Sequence, residues 1–416
     1  APGKALEGAP PARIPANMVV ASVDERRCAA VSPRRWRGGR HGLFDDCVPI
    51  MKYFTPRART QALSFLRPRR LALACAGLCV FTAQAQVNMA DSALLAQNLR
   101  APALSETVVT ATRTAQPLSD LVADVSIVDR DSIERSGATG LGDLLARLPG
   151  VEMSRNGGPG TTTSLFLRGA ESRFTAVYID GVRMDSQSTG GAAWESIPLG
   201  LIDRIEVLRG PAGAVYGSDA LGGVIQIFTK RGEKGFAPFV SVGVGNRGTT
   251  KFEAGVSGAS GTVDYALGLM RDDSDGFNAR PIAGQNPDKD GYRNTAGNAR
   301  VGVQLNSVHR LEGTLMVGDT NSGYDSGLGK DDRALHTMHA LGLHWQAQWS
   351  SAYKTKFSVT DSRDEYETKP SVYLSDTRLR GYLFQNEWRE GAHLVTAALE
   401  RREDHLENNP IDRDRS

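Results

Sequence analysis

The residues from 236 to the end of the chain follow the two-residue period of β-strands. Nine runs of about 9–14 residues alternate apolar with polar positions: 237–246, 249–257, 262–272, 293–305, 308–318, 335–348, 352–362, 378–389 and 392–402. Successive side chains of a strand point to opposite faces, so a sheet of such strands has one apolar and one polar face. The pattern predicts a large antiparallel β-sheet over 236–416.

The connections between these runs alternate in length. Short turns are expected at 258–261, 306–307, 350–351 and 390–391, and long loops at 273–292, 319–334 and 363–377. Transmembrane β-barrels have short turns on one side of the membrane and long loops on the other. A soluble β-sandwich also has alternating strands, but its strands are shorter. The sequence therefore favours a membrane barrel over a sandwich.

The first 85 residues indicate processing rather than a folded domain. Residues 1–50 are rich in Pro, Arg and Gly without a sustained period, and we expect a non-native or unstructured extension there. Residues 51–85 have a basic region, an apolar run over 71–81 and the small-residue site Ala83-Gln84-Ala85, which is typical of a signal peptide. The apolar run is too short to cross a bilayer as a helix.

Cleavage after Ala85 would change both the cysteine content and the charge. The four cysteines all precede this site, so we expect no disulfide or thiolate site in the mature chain. The remaining residues include 35 Lys or Arg and 42 Asp or Glu, a net charge near −7. A basic surface, the usual indication of nucleic-acid binding, is therefore not expected.

Residues 86–116 indicate a flexible tail, and 117–231 a small α/β domain. Short β-runs surround one clear helix over 140–147, which Pro149-Gly150 would end. Two motifs frame this region. The first is the β-branched peptide 106–111, and the second runs from Arg204 through Gly210-Pro211 to Gly222-Gly223.

Together these motifs resemble the coupling box and plug signature of TonB-dependent outer-membrane receptors, with spacing closest to the cobalamin receptors. The resemblance implies a small α/β plug inside an antiparallel transmembrane β-barrel of about 22 strands. About nine of those strands are visible, and 408–416 indicates a charged loop, so we expect a C-terminally truncated fragment. It also implies a monomer among outer-membrane lipids of a Gram-negative bacterium, with TonB and its inner-membrane energising complex as partners.

The resemblance assigns TonB binding to the peptide at 106–111. An extended β-branched peptide can add a strand to the edge of a partner's sheet through main-chain hydrogen bonds. From the pattern alone, an ordinary first strand of the plug would be the favoured interpretation, and the position of the peptide before the plug favours coupling. The residues are Glu106, Thr107, Val108, Val109, Thr110 and Ala111.

The plug signature is predicted to be structural. Arg204, Glu206 and Arg209 alternate with apolar residues, and the resemblance implies that this charged face pairs with the barrel wall. Gly222-Gly223 would allow close approach of the plug to that wall. A solvated surface strand is the alternative. The signature comprises Arg168, Asp180, Arg204, Glu206, Arg209, Gly210, Gly217, Gly222 and Gly223.

Two further groups of residues are candidate binding sites. The resemblance to cobalamin receptors implies ligand contacts from Thr162, Ser164, Glu171, Thr189 and Gly190. Aspartates at alternate positions provide the oxygen ligands that calcium prefers, and the resemblance points to Asp288, Asp290, Asp325 and Asp331 in extracellular loops. A solvated acidic loop is the alternative reading of these aspartates.

The predicted function is TonB-dependent uptake of a scarce, large solute. Cobalamin or a related corrinoid is the favoured ligand, an iron chelate is the alternative, and a passive porin-like barrel is a distant third. No catalytic triad, carboxylate pair or phosphate loop stands out, so we expect neither an enzyme nor a redox or organic cofactor. His336 and His344 share one face of their predicted strand and His339 lies on the other, which argues against a histidine metal cluster.

Overall fold

The described residues before Gly235 form a small α/β layer, here called the plug, that packs on one large sheet. This computed structural model describes residues 107–108, 113–121, 123–186, 190–391, 393–409 and 411–415. These residues belong to one compact unit. Among them, no helix has the length and apolar character needed to cross a membrane.

Nine short strands and three short helices lie among the described residues of the plug. Its strands are β1 (Thr107–Val108), β2 (Gln116–Pro117), β3 (Asp124–Val128), β4 (Val151–Arg155), β5 (Thr163–Leu167), β6 (Thr175–Ile179), β7 (Val182–Met184), β8 (Ile202–Arg209) and β9 (Gly223–Thr229). The helices are α1 (Arg130–Arg135), α2 (Leu141–Leu145) and α3 (Gly213–Tyr216), with 3-10 turns at Leu118–Asp120, Ser172–Phe174, Trp194–Ser196 and Leu199–Leu201.

Strand β8 lies near the centre of the plug. A five-stranded sheet has the order β3-β8-β9-β6-β7, while β1-β2 and β4-β5 form two separate pairs. The side chains of Ile205 and Val207 are fully buried against this sheet's other strands and helix α2. Leu141 and Leu145 of α2, one turn apart, are also fully buried, which explains the apolar spacing seen in the sequence.

The large sheet consists of ten antiparallel strands in chain order. They are β10 (Gly235–Val244), β11 (Thr250–Ser260), β12 (Val263–Phe277), β13 (Asp290–Gln304), β14 (His309–Gly327), β15 (Lys330–Gln348), β16 (Tyr353–Lys369), β17 (Tyr373–Glu390), β18 (His393–Asn408) and β19 (Ile411–Arg415). The nine predicted runs are confirmed as strands. The predicted charged loop at the end is wrong in part, because Ile411–Arg415 pairs with β18 as a tenth strand.

Two of the three predicted long loops are wrong. Strands β14 and β15 run through 319–334 and leave only residues 328–329 between them, and β16 and β17 likewise reduce 363–377 to 370–372. Polar residues hid these strand ends, because beyond the apolar band both faces of the sheet are polar. Only the connection at 278–289 remains long.

The inner face of the large sheet, which packs on the plug, shares the plug's apolar core. Met316, Met338 and Ala340 of β14 and β15 are buried in the same cluster as the plug residues Trp194 and Ile225. The intervening residues of these strands, such as Leu315 and Leu341, are exposed on the outer face. The two-residue period therefore separates a plug-facing side from an outward apolar side.

Candidate functional site

The predicted coupling peptide is held against the plug over its described part. Thr107 and Val108 pair with Pro117 and Gln116, and the side chain of Val108 is buried. Glu106, Val109, Thr110 and Ala111 lie outside the described residues. This pairing means that β1 would have to leave β2 before it could add to another sheet, and TonB binding by this peptide stays a prediction.

Arg113 holds the residues after the coupling peptide between plug and sheet. Its Nη1 donates to Glu400 Oε2 of β18 at 2.7 Å, and its guanidinium lies 4.7 Å from the ring centre of Tyr216 in α3. Its carbonyl oxygen accepts a 3.4 Å hydrogen bond from Gln385 of β17. One residue thus contacts a plug helix and two strands of the large sheet.

The plug-signature arginines pair inside the plug, which corrects the expectation that their face pairs with the barrel wall. Arg204 Nη2 lies 2.9 Å from the fully buried Glu206, and Arg209 lies 3.4 Å from Asp124 and donates to Ser126 at 2.8 Å. Arg168 also pairs with Asp124. The reason is that β8 lies between β3 and β9, so plug elements cover its side chains.

The signature glycines also serve the plug itself. Gly210, Gly217 and Gly223 have positive φ, which favours glycine. A Cβ at Gly223 would lie 2.2 Å from the Leu208 carbonyl oxygen, and one at Gly222 would lie 2.8 Å from Ala170 Cβ. The predicted close approach to the barrel wall is therefore wrong, since both contacts join strands and turns of the plug.

Asp180 is the signature residue that reaches the large sheet. Its carboxylate accepts hydrogen bonds from Arg300 Nη1 of β13 at 2.8 Å and from the Thr229 backbone nitrogen at 3.0 Å. Arg300 also pairs with Glu312 of β14 at 2.6 Å. All three side chains are largely buried, so this bridge is a shielded ionic contact between plug and sheet.

A second ionic group joins the plug to the large sheet at Asp219. Its carboxylate lies 3.2 Å from Arg183 of β7 and 3.1 Å from Arg402 of β18. Burial alone would raise the pKa of the Asp219 carboxyl, but these two guanidinium groups lower it below its usual range. The Asp219 carboxyl therefore stays ionised, and its ion pair with Arg402 holds the plug against β18.

The turn Trp194–Ser196 makes several polar contacts with the large sheet. Glu195 Oε1 lies 2.9 Å from His336 Nδ1, and the Ser196 and Thr320 hydroxyl oxygens are 2.9 Å apart. The Glu195 carbonyl oxygen accepts from Asn294 Nδ2 at 2.8 Å. The turn thus bonds to β13, β14 and β15.

The predicted ligand residues fall into two groups. Thr162 and Ser164 lie on the β4-β5 hairpin, and Thr162 contacts Tyr366 of β16. Glu171 is exposed beside Arg173, and the Ser172 hydroxyl donates to the Gly190 carbonyl oxygen at 3.3 Å. Thr189 lies outside the described residues. Ligand contact by these residues stays a prediction.

The predicted calcium ligands gather where β13, β14 and β15 extend beyond the outward apolar band. Asp325 and Asp331 are opposite each other in the β14-β15 ladder, Asp290 begins β13, and Asp288 is exposed just before it. The expectation that Asp325 and Asp331 lie in a loop is wrong, because the strands continue through them. Partial desolvation and repulsion, from Asp290 first for Asp325 and from Asp288 first for Asp331, raise the pKa of both carboxyls.

Both carboxylate oxygens of Asp325 and Oδ1 of Asp290 are buried without a hydrogen-bond partner. Such oxygens suit a hard cation. Within the described part of the chain, however, no three His, Cys, Asp or Glu side chains are already arranged to hold a metal ion. The donors fit calcium in chemistry, and their present spacing would have to tighten around it.

Sequence reasoning missed the partners that the large sheet supplies. Arg300 bonds Asp180 of the plug from the inner face. His336, which also contacts Asp364, meets Glu195 of a turn without regular periodicity. The available signal was the presence of polar residues at inner-face positions of the strands, which indicates partners on the plug. The prediction that His336 and His344 share a face opposite His339 is confirmed, since the first two are buried and His339 is partly exposed.

Comparison with known proteins agrees with this arrangement. Residues 117–224 match the model of the TonB-dependent receptor plug domain. They are a TonB-dependent receptor plug. The chain is also 41% identical over 277 residues to the vitamin B12 transporter BtuB of Vibrio cholerae, covering 63% of this chain and 44% of that protein. It is 34% identical over 260 residues to that of Photobacterium profundum, covering 62% and 42%.

The fold is likewise that of TonB-dependent receptors. The ferripyoverdine receptor of the outer membrane of Pseudomonas aeruginosa superposes with a TM-score of 0.61 at 15% identity, over 73% of this chain and 45% of that one. The large sheet therefore corresponds to part of the receptor barrel, and the chain spans less than half the length of the two curated transporters. The outer membrane of a Gram-negative bacterium is its location.

Proposed function

We propose that this protein is an outer-membrane receptor for energised uptake, in which TonB pulls the coupling peptide and so displaces the plug. The observation that carries the proposal is the set of contacts that hold the plug against the large sheet. Beside the apolar contact with β14 and β15, ionic and hydrogen-bonded contacts at Arg113, Asp180, Asp219 and Glu195 join it to the strands, and these polar contacts can exchange partners as the plug moves. A force applied near residue 113 acts directly on the first of these contacts.

Cobalamin is the proposed ligand. The 34–41% identity to vitamin B12 transporters supports it, and it extends through both the plug and the first barrel strands. An iron chelate is the alternative, because plug domains are common to receptors for different ligands. We assign the ligand contacts to Thr162, Ser164, Glu171, Thr189 and Gly190.

Calcium is proposed as the ion at the acidic strand ends. Asp325 and Asp290 would supply the unpartnered buried oxygens, with Asp288 and Asp331 closing the site. A bound cation would remove the repulsion between these carboxylates and order the 278–289 connection over the plug. The ion has a structural role in this proposal and takes no part in transport chemistry.

Binding of cyanocobalamin to the purified full-length receptor in detergent tests both assignments. We expect saturable binding that weakens when calcium is chelated, because the 278–289 connection then loses its order. Binding that is indifferent to chelator would discard the calcium site and keep the ligand. Absence of binding at micromolar cyanocobalamin, with binding of a ferric chelate, would replace cobalamin by an iron chelate.

An Asp325→Asn variant separates the ion from general destabilisation. It removes one carboxylate charge without changing side-chain size, so we expect weaker calcium dependence with an unchanged fold. Asp319→Asn is the matched control, because Asp319 lies on the same strand but is exposed on the outer face. Equal effects of the two substitutions would contradict the calcium site.

A further inference from the structure

The turn Trp194–Ser196 bonds the described part of the plug to several strands of the large sheet. One residue from each of three adjacent strands meets it: Asn294 of β13 donates to the Glu195 carbonyl oxygen, Thr320 of β14 pairs with Ser196, and His336 of β15 meets the Glu195 carboxylate. The distances are 2.8, 2.9 and 2.9 Å. A single turn is therefore bonded to three neighbouring strands at once.

His336 connects this turn to a second carboxylate. Its Nδ1 lies 2.9 Å from Glu195 Oε1, and its Nε2 lies 3.0 Å from Asp364 Oδ1 of β16. A neutral imidazole can donate from only one nitrogen, whereas an imidazolium donates from both. Contact with two carboxylates therefore favours the charged ring, and all three side chains are buried. The resulting group is an ion triad that bridges plug and wall.

The triad is also linked to the hairpin that carries two predicted ligand residues. Glu195 Oε2 accepts a hydrogen bond from the Thr163 backbone nitrogen at 3.2 Å, at the start of β5. The ring of Tyr366, which contacts Thr162, lies edge-on to His336 with 5.5 Å between ring centres. A shift of this hairpin would thus alter the surroundings of both Glu195 and His336.

We propose that Trp194–Ser196 is a latch that must leave strands β13–β15 during transport, with Glu195 and His336 as the positioning residues that hold it. The inference rests on the proposed uptake function. Covalent closure of the latch would then stop transport without affecting ligand binding. Weakening the triad would loosen the plug while the strands stay folded.

A disulfide between Ser196→Cys and Thr320→Cys tests the latch. The 2.9 Å separation of the two hydroxyl oxygens indicates side chains close enough for a disulfide, which requires Cβ atoms about 3.5–4.5 Å apart. In the oxidised variant expressed in the outer membrane, we expect normal cyanocobalamin binding and uptake at the level measured without TonB. A reductant should restore uptake.

A disulfide within the wall provides the matched control. Thr355→Cys and Asn386→Cys lie opposite each other on β16 and β17, so oxidation there joins two strands and leaves the plug free. We expect it to leave uptake unchanged. Normal uptake by protein shown to contain the 196–320 disulfide would overturn the latch. Failure of the unmodified protein to bind cyanocobalamin would instead count against the proposed function.

A second pair of variants tests the triad without relying on disulfide formation. Glu195→Gln and His336→Gln each remove one charge, and we expect faster proteolysis of the plug in both. If the two residues act together, the double variant should be cleaved no faster than the faster single variant. Independent, multiplying effects would overturn the assignment of Glu195 and His336 as one latch.

Discussion

At the scale of single residues, the contacts that matter most are buried charges paired across the plug surface. Asp180 and Arg300 are 3–4% exposed, and Arg300 also neutralises Glu312. Burying such charges is costly in itself, so these pairs do not make the fold unusually stable. Their importance is that removing one partner leaves the others charged and shielded from water.

Arg300→Met should destabilise the seated plug by about 3–5 kcal/mol, because it leaves the Asp180 and Glu312 carboxylates without their counter-ion. Denaturant unfolding of the plug in detergent measures this change. Arg135→Met is the control, since its pair with Asp131 is over 70% exposed, and we expect an effect below about 1 kcal/mol. Similar losses of unfolding free energy in the two variants would show that the Asp180–Arg300 pair contributes no more than an exposed ion pair.

At the scale of elements, the coupling segment combines two opposing requirements. Strand β1 is paired with β2 and its Val108 side chain is buried, yet a strand bound to a partner's edge must have its main chain free. Arg113 reinforces the closed state by binding Glu400. The segment therefore exchanges between a state paired with β2 and a free state, and the contact of Arg113 with Glu400 favours the paired state.

Arg113→Ala should increase the affinity of a periplasmic TonB fragment by about two- to fivefold, because an ion pair that is partly exposed contributes up to about 1 kcal/mol to the closed state. Calorimetric titration of the detergent-solubilised protein measures the affinity. Arg401→Ala, which removes an exposed arginine on the same strand as Glu400, should leave it unchanged. A weaker affinity in Arg113→Ala would mean that Arg113 supports the bound form instead.

Val108→Pro should abolish energised uptake while ligand binding stays intact, because proline removes a main-chain donor from the extended peptide. Uptake and binding of cyanocobalamin by the same cells provide the two readouts. A proline at Ala115, which is exposed and precedes β2, is the control for a general effect of proline in this tail. Uptake at the normal rate in Val108→Pro would show that 106–111 is not the coupling peptide.

At the scale of the whole molecule, the two faces of the large sheet have opposite surroundings. Inner-face residues pack on the plug, whereas large apolar side chains are exposed on the outer face, among them Leu269, Val301, Leu315, Val317, Leu341 and Leu343. A contiguous exposed apolar band of this kind is unusual for a water-soluble protein. It fits the lipid-facing surface of an outer-membrane barrel.

Leu341→Arg should cost about 2–4 kcal/mol of barrel stability, because it places a charge in the apolar band. Denaturant unfolding from lipid vesicles measures the loss. Thr337→Arg lies on the same face of β15 but four residues nearer the polar end of the strand at 330–334, so a cost below about 1 kcal/mol is expected there. Equal costs would indicate that the two positions face the same medium.

Much of the fold was predictable because strand periodicity is a local property. The nine alternating runs, the helix around Leu141–Leu145 and the opposite faces of His336 and His339 all follow from spacing along the chain. Strand ends at 319–327 and 330–334 were missed, because beyond the apolar band a strand can be polar on both faces. The tenth strand Ile411–Arg415 was missed for the same reason.

By itself, the sequence determined the strand period, the apolar outer face and the glycines at turns, all of which depend on neighbouring residues. Only the tertiary structure decided which charges meet. Arg209 pairs with Asp124 inside the plug, while Asp180 and Glu195 reach Arg300 and His336 more than a hundred residues away. Pairing between distant residues depends on which strand lies beside which turn, and no local pattern encodes that.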